Sequence, residues 1–219
     1  MDDATLLRKS ELFQAFGPDD MARIVGAAGA RRLQRGDAVF EEGDPADRMF
    51  VVRSGRVAIS KRSPEAKESI VALMEPGDLF GEMSLFDGEQ RSTGARALEP
   101  SELVVVPFAP LTEVFGERPT LLWPVVALLC RRTRAADAAL ADSLFLDVTG
   151  RTAKRLLELA GGQDEFALPI TQEELAGMVG ASRERVNKAL AQFVRLGWLA
   201  ANDRRYRILK RDALIQRAR

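Results

Sequence analysis

Two stretches of this chain hold side chains whose types and spacing could do chemistry. The first is Phe80-Gly81-Glu82-Met83-Ser84-Leu85-Phe86, followed closely by Gln90-Arg91-Ser92-Thr93. Gly81 permits close backbone approach, and a short helical turn starting there, with Met83 and Ser84 on it, would aim amide N–H groups at an anion. Arg91 carries a fork suited to two phosphate oxygens, and Ser92 offers a hydroxyl to one of them. Glu82 narrows the chemistry. A carboxylate repels a phosphate unless it is occupied elsewhere, and a ribose 2′-hydroxyl is a natural donor for it. A singly charged cyclic phosphate needs one arginine, whereas a triphosphate would ask for several cations and a metal. The same residues also fit a plain turn bearing a surface Glu–Arg pair.

The second stretch runs from Thr171 to Leu196 and suits DNA. In Thr171-Gln172-Glu173-Glu174 the threonine caps the third helical position while Glu174 reaches back, which fixes where a helix starts. Val179-Gly180-Ala181 then makes a tight turn, Ser182 caps a second helix, and Leu175, Ala176, Val179, Val186, Leu190 and Phe193 close the two helices on each other. The exposed start of that second helix carries Arg183, Glu184 and Arg185, with Asn187 and Lys188 on the next turn. Arg forks onto guanine O6 and N7, and Glu accepts from cytosine N4. A carboxylate aimed into DNA is costly unless it reads a donor, so Glu184 between two arginines points to direct readout. Arg204, Arg205 and Arg207 on a following hairpin suit phosphates. Thr171, Ser182, Arg183, Glu184, Arg185, Asn187, Lys188, Arg204 and Arg205 are the candidate DNA contacts. A solvated, salt-bridged helix with a basic tail is the plain alternative.

These residues need a scaffold. Leu6 to Gly29 reads as short helices broken at Gly17-Pro18. From Arg32, turn signals such as Arg35-Gly36-Asp37, Glu42-Gly43-Asp44, Arg53-Ser54-Gly55, Glu75-Pro76-Gly77-Asp78 and Asp87-Gly88 punctuate the short runs Met49 to Val52, Val57 to Ser60, Ile70 to Met74 and Leu103 to Val106. That grammar indicates an antiparallel roll or barrel. From about Pro119 to Phe145 the pattern is helical. Leu122, Val126, Leu129, Thr133, Ala136, Leu140 and Ser143 recur at steps of four and three, the spacing of a seam against a partner helix, although a core helix on the roll has the same signature. Pro124 either begins this helix or kinks it. Asp147-Val148-Thr149-Gly150 reads as a hinge, with Asp147 capping a helix from Arg151 to Ala160. After a polar loop, Gly161 to Glu165, come the two DNA-reading helices and a hairpin, Trp198 to Ala201 and Tyr206 to Leu209, about an Asn202-Asp203 turn.

Composition excludes much else. The 219 residues are 46% apolar and 29% charged, enough for one large domain or two modest ones. With 32 basic and 32 acidic residues the formal net charge is zero, yet 14 of the basic and only 9 of the acidic side chains fall in residues 147 to 219. Opposite signs in the two halves suggest two jobs. Without histidine, Ser-His and Cys-His nucleophiles, His-ligated zinc and His-ligated haem are ruled out. One cysteine, Cys130, supplies neither an internal disulfide nor an iron–sulfur cluster. No metal is expected. The acidic pairs Asp19-Asp20, Glu41-Glu42 and Glu173-Glu174 read as solvated faces, and no catalytic residue is assigned. An acidic start and the lack of a long apolar window indicate a cytoplasmic protein that no membrane holds.

The two motifs, in this order and separated by a seam helix, resemble the cyclic AMP receptor protein branch of the Crp/Fnr transcription regulators, most of all its actinobacterial members. The likeness covers nearly the whole chain. It is most specific at Phe80 to Ser92, at Phe145-Leu146-Asp147-Val148-Thr149-Gly150-Arg151 and at Val179-Gly180-Ala181-Ser182-Arg183-Glu184 with Val186-Asn187-Lys188-Ala189-Leu190. The resemblance implies an α+β architecture: an N-terminal β-roll (jelly roll) cyclic-nucleotide-binding domain at 1–117, a long dimerisation helix and hinge at 118–146, and a C-terminal winged helix-turn-helix at 147–219. It implies a homodimer that binds double-stranded DNA at palindromic TGTGA-like half-sites and acts on RNA polymerase, with cAMP as allosteric effector. Carried over residue by residue, Gly81, Glu82, Arg91 and Ser92 fall on the ribose-phosphate positions, and Ser182, Arg183, Glu184 and Lys188 on DNA-contact positions. Two departures stand out. Where many members set Thr and Ser or Asn against the adenine amine, this chain has Ala136 and Asp137. Asp137 accepts from adenine or, as readily, from guanine N1 and N2 donors, so cGMP, another ligand or none stays open. Lys188 replaces a forked arginine by a point charge, which loosens discrimination at one guanine. A cyclic-nucleotide module that regulates a partner protein is a further alternative; it leaves Arg183-Glu184 without a task.

Overall fold

The computed structural model describes residues 1–63, 68–202 and 205–219. It divides into two compact units, Met1–Thr133 and Arg134–Arg219. The first opens with three short helices, α1 (Asp3–Leu7), α2 (Glu11–Gln14) and α3 (Pro18–Ala27). Eight strands follow: β1 (Gly29–Leu33), β2 (Ala38–Phe40), β3 (Arg48–Ser54), β4 (Val57–Arg62), β5 (Glu68–Met74), β6 (Leu79–Phe80), β7 (Gly94–Ala97) and β8 (Ser101–Pro107). They form two antiparallel four-stranded sheets, ordered β1-β8-β3-β6 and β2-β7-β4-β5. The glycines of the five expected turns, Gly36, Gly43, Gly55, Gly77 and Gly88, all take positive φ, a conformation that side chains with a Cβ resist.

The central run Met49-Phe50-Val51-Val52 is buried at every position, as a strand covered on both faces must be. Met49 and Val51 face one core, shared with the helices through Leu6, Phe13, Ile24 and Phe115. Phe50 and Val52 face the other, where Val39, Val57 and Ala95 of the opposite sheet close the roll. Helix α4 (Met83–Asp87) interrupts the strands, and α5 (Phe108–Glu117) completes the helical side; sequence periodicity had not marked α5.

After a 3-10 turn at Pro119–Leu121 comes α6 (Leu122–Phe145). Pro124 is its third residue, where no backbone N–H is needed by the helix, so the proline begins α6 and does not kink it. The expected seam requires a correction. Leu122 and Leu129 pack against the core under the helices. The other five expected seam residues, Val126, Thr133, Ala136, Leu140 and Ser143, are exposed, and Trp123, Cys130, Asp137 and Leu144 beside them widen the exposed stripe.

The second unit holds α7 (Val148–Ala160), β9 (Glu165–Ala167), α8 (Gln172–Val179), α9 (Arg183–Arg195), β10 (Leu199–Asn202), β11 (Arg205–Ile208) and α10 (Arg211–Arg217). Asp147 caps α7 as expected, accepting from the Gly150 N–H at 2.8 Å, but the helix starts at Val148 and not at Arg151. The expected hinge is therefore corrected: Val148, Thr149 and Gly150 lie in α7, leaving Leu146 and Asp147 alone between the helices. Gly150 sits inside α7 because a Cβ there would lie 3.0 Å from the Arg217 carbonyl of α10, a close packing that mimics a hinge signal in sequence. The polar loop ends earlier than expected, since Glu165 opens β9, which joins the hairpin in the order β10-β11-β9. The hairpin turn also shifts: Asn202 pairs with Arg205, while Asp203 and Arg204 lie outside the described residues.

Candidate functional site

In the roll, Gly81 follows β6 with φ +76°, and a Cβ on it would meet the Arg91 Nη1 at 2.8 Å. The structure thus brings the first motif together: Arg91 Nη1 donates to the Gly81 carbonyl at 2.6 Å, next to Glu82. The arginine's fork is not open, however. Its other terminal nitrogen donates to the Arg48 carbonyl at 2.6 Å, and the guanidinium lies 4.3 Å over the Phe40 ring. Phe40, Phe50 and Phe80 form a contiguous aromatic group here, Phe50 and Phe80 stacked at 5.3 Å. Burial pushes the Arg91 pKa down, opposed by the carboxylates of Asp47 and Glu82, and the group stays cationic.

Glu82 is fully buried and its Oε1 is engaged by Arg132 of α6, which also donates to the Leu79 carbonyl at 2.6 Å. The carboxylate expected to wait for a sugar hydroxyl is thus half-occupied from within the chain. Sequence reasoning missed Arg132. Its only signal in the sequence is its place in the charged pair Arg131-Arg132 beside the apolar stripe of the long helix. Beside Gly81, Glu82 Oε2 and Arg91 Nε are buried without a hydrogen-bond partner. An acceptor and a cationic donor beside a glycine suit a hydroxylated, singly charged phosphodiester, so the residues fit the expected ligand class. The helical turn α4 starts at Met83, two residues later than expected; Ser84 is buried, while Met83 and Ser92 are exposed, the Ser92 hydroxyl 3.9 Å from the Met83 sulfur. Ala136 and Asp137 stand exposed on α6, in the second compact unit.

In that second unit the capping box is complete. The Thr171 hydroxyl accepts from the Glu174 N–H at 3.1 Å, and Glu174 accepts from the Thr171 N–H at 2.7 Å. Gly180 ends α8 in the left-handed region, and the Ser182 hydroxyl accepts from the Arg185 N–H at 3.4 Å, capping α9. Val186, Ala189, Leu190 and Phe193 bury one face of α9. Ser182, Arg183, Glu184, Arg185 and Lys188 are exposed on it, and among the described residues no ion pair holds any of the four charged ones. Asn187 departs from expectation: it is half-buried, its Oδ1 unpartnered, lining a groove of about 400 Å³ with Gln172, Leu190, Val194 and Tyr206. Arg205 is exposed on β11, Arg207 pairs with Glu165 at 2.5 Å, and Arg204 lies outside the described residues. No described helix is long and apolar enough to cross a membrane, and no described cluster of three metal-ligating side chains occurs.

A helix-covered roll with a glycine turn beside a buried arginine and carboxylate, followed by an N-capped helix pair whose exposed charges are free of ion pairs among the described residues, defines a two-module class of protein. Residues 30–118 match the cyclic nucleotide-binding domain family and residues 150–217 the Crp-like helix-turn-helix domain family. The chain is 38% identical to the CRP-like cAMP-activated global transcriptional regulator of Mycobacterium tuberculosis, over 98% of this chain and 99% of that protein. It therefore belongs to the Crp/Fnr family of transcription regulators. Among solved structures, FixK2 of Bradyrhizobium japonicum shares the fold, with a TM-score of 0.79 at 23% identity over 86% of this chain and 96% of that one. The c-di-GMP responsive regulator CLP of Xanthomonas campestris matches with a TM-score of 0.75 at 25% identity, over 88% of this chain and 99% of that one.

Proposed function

We propose that this chain is a homodimeric, cyclic-nucleotide-responsive transcription regulator of the cytoplasm, with cAMP as effector and palindromic TGTGA-like DNA as target. The observation that carries the effector assignment is the pair of unpartnered buried atoms, Glu82 Oε2 and Arg91 Nε, beside Gly81. In this reading Glu82 takes the ribose 2′-hydroxyl and Arg91 the cyclic phosphate, with Gly81, Met83, Ser84 and Ser92 framing the anion. Arg91 must exchange its two carbonyl partners for phosphate oxygens, so binding rearranges the pocket rather than filling it. Arg132, which holds Glu82 from α6, is the natural route by which that change reaches the long helix. The exposed stripe from Trp123 to Leu144 serves as the seam of the dimer.

On DNA, Arg183 and Glu184 read base edges, while Thr171, Ser182, Arg185, Lys188 and Arg205 position the backbone. Two such helices in a dimer must sit roughly 34 Å apart to enter successive major grooves. Effector coupling of about 1 to 3 kcal/mol is usual, which gives graded enhancement of DNA binding rather than an absolute switch. Contact with RNA polymerase completes the reading.

The test titrates a palindromic TGTGA duplex with wild type and Arg91→Ala, with and without cAMP. The wild type tightens with cAMP and the variant loses that response while keeping its basal affinity; an undiminished response removes the pocket assignment. A second reading keeps the DNA role but changes the effector. Asp137, in place of a hydroxyl or amide side chain, motivates it, and calorimetry with cAMP and cGMP decides between them.

A further inference from the structure

Arg151, in the first turn of α7, makes two hydrogen bonds that leave its own helix. Its Nε donates to the carbonyl of Val179 at 2.8 Å, and its Nη1 donates to the carbonyl of Leu146 at 2.7 Å. Val179 ends α8; Gly180 and Ala181 make the turn, and Ser182 then caps the reading helix α9. Leu146 is the residue between the last turn of α6 and the N-cap of α7. Both acceptors therefore lie where a helix has just run out of partners for its carbonyls, and where its dipole favours a cation. A guanidinium meets both at once because its donors diverge in one rigid plane; an ammonium is a single point.

The joint around Leu146 is held at three further points. Lys154 of α7 pairs with Asp142 of α6 at 2.6 Å, the Asp147 carboxylate caps Gly150, and Arg217 of α10 donates to both Asp147 oxygens at 2.5 Å. These ties fix α7 to its two neighbours. Of the four, only that of Arg151 extends to the turn from which α9 departs.

We propose that Arg151 is a positioning residue for DNA recognition: by bridging Leu146 to Val179 it fixes the direction of α9 relative to the end of α6, and so sets the half-site separation that a dimer accepts. The proposal rests on the dimeric DNA-binding reading above. Adding one base pair between half-sites moves the second by about 3.4 Å and rotates it by about 35°. A joint clamped at both carbonyls cannot follow that displacement, whereas a released one can.

The experiment uses the full-length wild type, Arg151→Ala and Arg151→Lys. Fluorescence anisotropy reads their binding to the palindrome that the wild type prefers, to palindromes one base pair shorter and longer, and to a duplex with a single half-site; thermal melting is recorded alongside. Arg151→Ala is expected to keep its single-half-site affinity and to lose about two- to thirtyfold of the preference among spacers, the range for a severed physical link. Arg151→Lys keeps the charge and the apolar stem but reaches one carbonyl, so it falls between, and it carries the test should the alanine variant not fold. Spacer preference equal to wild type in the folded variants overturns the proposal, as does an equal loss of affinity on every duplex. A wild type that binds none of the duplexes overturns instead the DNA-binding reading on which the proposal stands.

Discussion

The two halves of this protein hold their candidate binding groups in opposite states. At the start of α9, Arg183, Glu184, Arg185 and Lys188 are exposed and held by no ion pair among the described residues, on a helix already capped by Ser182. In the roll, Arg91 and Glu82 are buried and already engaged, one by the carbonyls of Gly81 and Arg48, the other by Arg132. A surface that must search a long polyanion gains from cations held ready in water, where they steer encounter. A pocket that must report a small molecule gains from internal contacts that the ligand replaces, because an effector moves an equilibrium only through what it changes. In the proposed reading, DNA readiness and effector conditionality are thus written into opposite charge environments of one chain.

Breaking the Arg132–Glu82 pair tests the contrast hardest. Arg132→Ala leaves the fully buried Glu82 carboxylate without its cation, and a loss of about 3 to 5 kcal/mol in the stability of the roll is expected from thermal or denaturant unfolding. Adding Glu82→Gln removes the stranded charge and should recover much of that loss; if it recovers none, the pair does not hold the pocket. A smaller effect is expected at the exposed site. Arg183→Ala should weaken operator binding by about 1 to 3 kcal/mol, with sequence preference relaxed at one base pair and nucleotide binding to the roll unchanged. A uniform loss on all sequences would move Arg183 from base reading to phosphate contact.

The smallest effect concerns pH. The Gly150 N–H, followed by Arg217, holds the Asp147 carboxyl below the usual carboxylate range, against the raising effect of its partial burial. A depressed folded pKa means stability that is present above the unfolded value of about 3.9 and lost as pH falls through the folded one. Asp147→Asn should therefore lower the melting temperature slightly near neutrality, and the gap to wild type should close on acidification below about pH 4. Because Asp147 is mostly solvated, a large gap at neutral pH would show that the joint depends on this charge more than its exposure suggests.

Much of this architecture is legible in the sequence. The capping box at Thr171-Glu174, the serine cap of α9 and the buried face of Val186, Leu190 and Phe193 are local statements, and each recurs in the structure where spacing put it. The five glycine turns of the roll were legible because positive φ is a property of one residue. What failed was non-local. β9 is three residues long and exists only because β11 offers it an edge. The hinge signal at Gly150 arose from the closeness of α10, some seventy residues on. Leu122 and Leu129 fit a seam by spacing, yet a core from the first helices claims them.

Sequence by itself determined the order of modules, the caps at Asp147, Thr171 and Ser182, the glycine turns of the roll and the residue types of the candidate pocket and reading helix, since caps, glycine conformations and hydrophobic period act within a few residues. Tertiary structure alone decided which partner each charged group takes: Arg132 for Glu82, two backbone carbonyls for Arg91, and the ends of α8 and α6 for Arg151. The reason is physical. Ion pairs and orphan carbonyls are satisfied by whatever the fold brings within about 3 Å, and contiguity along the chain carries no record of that distance.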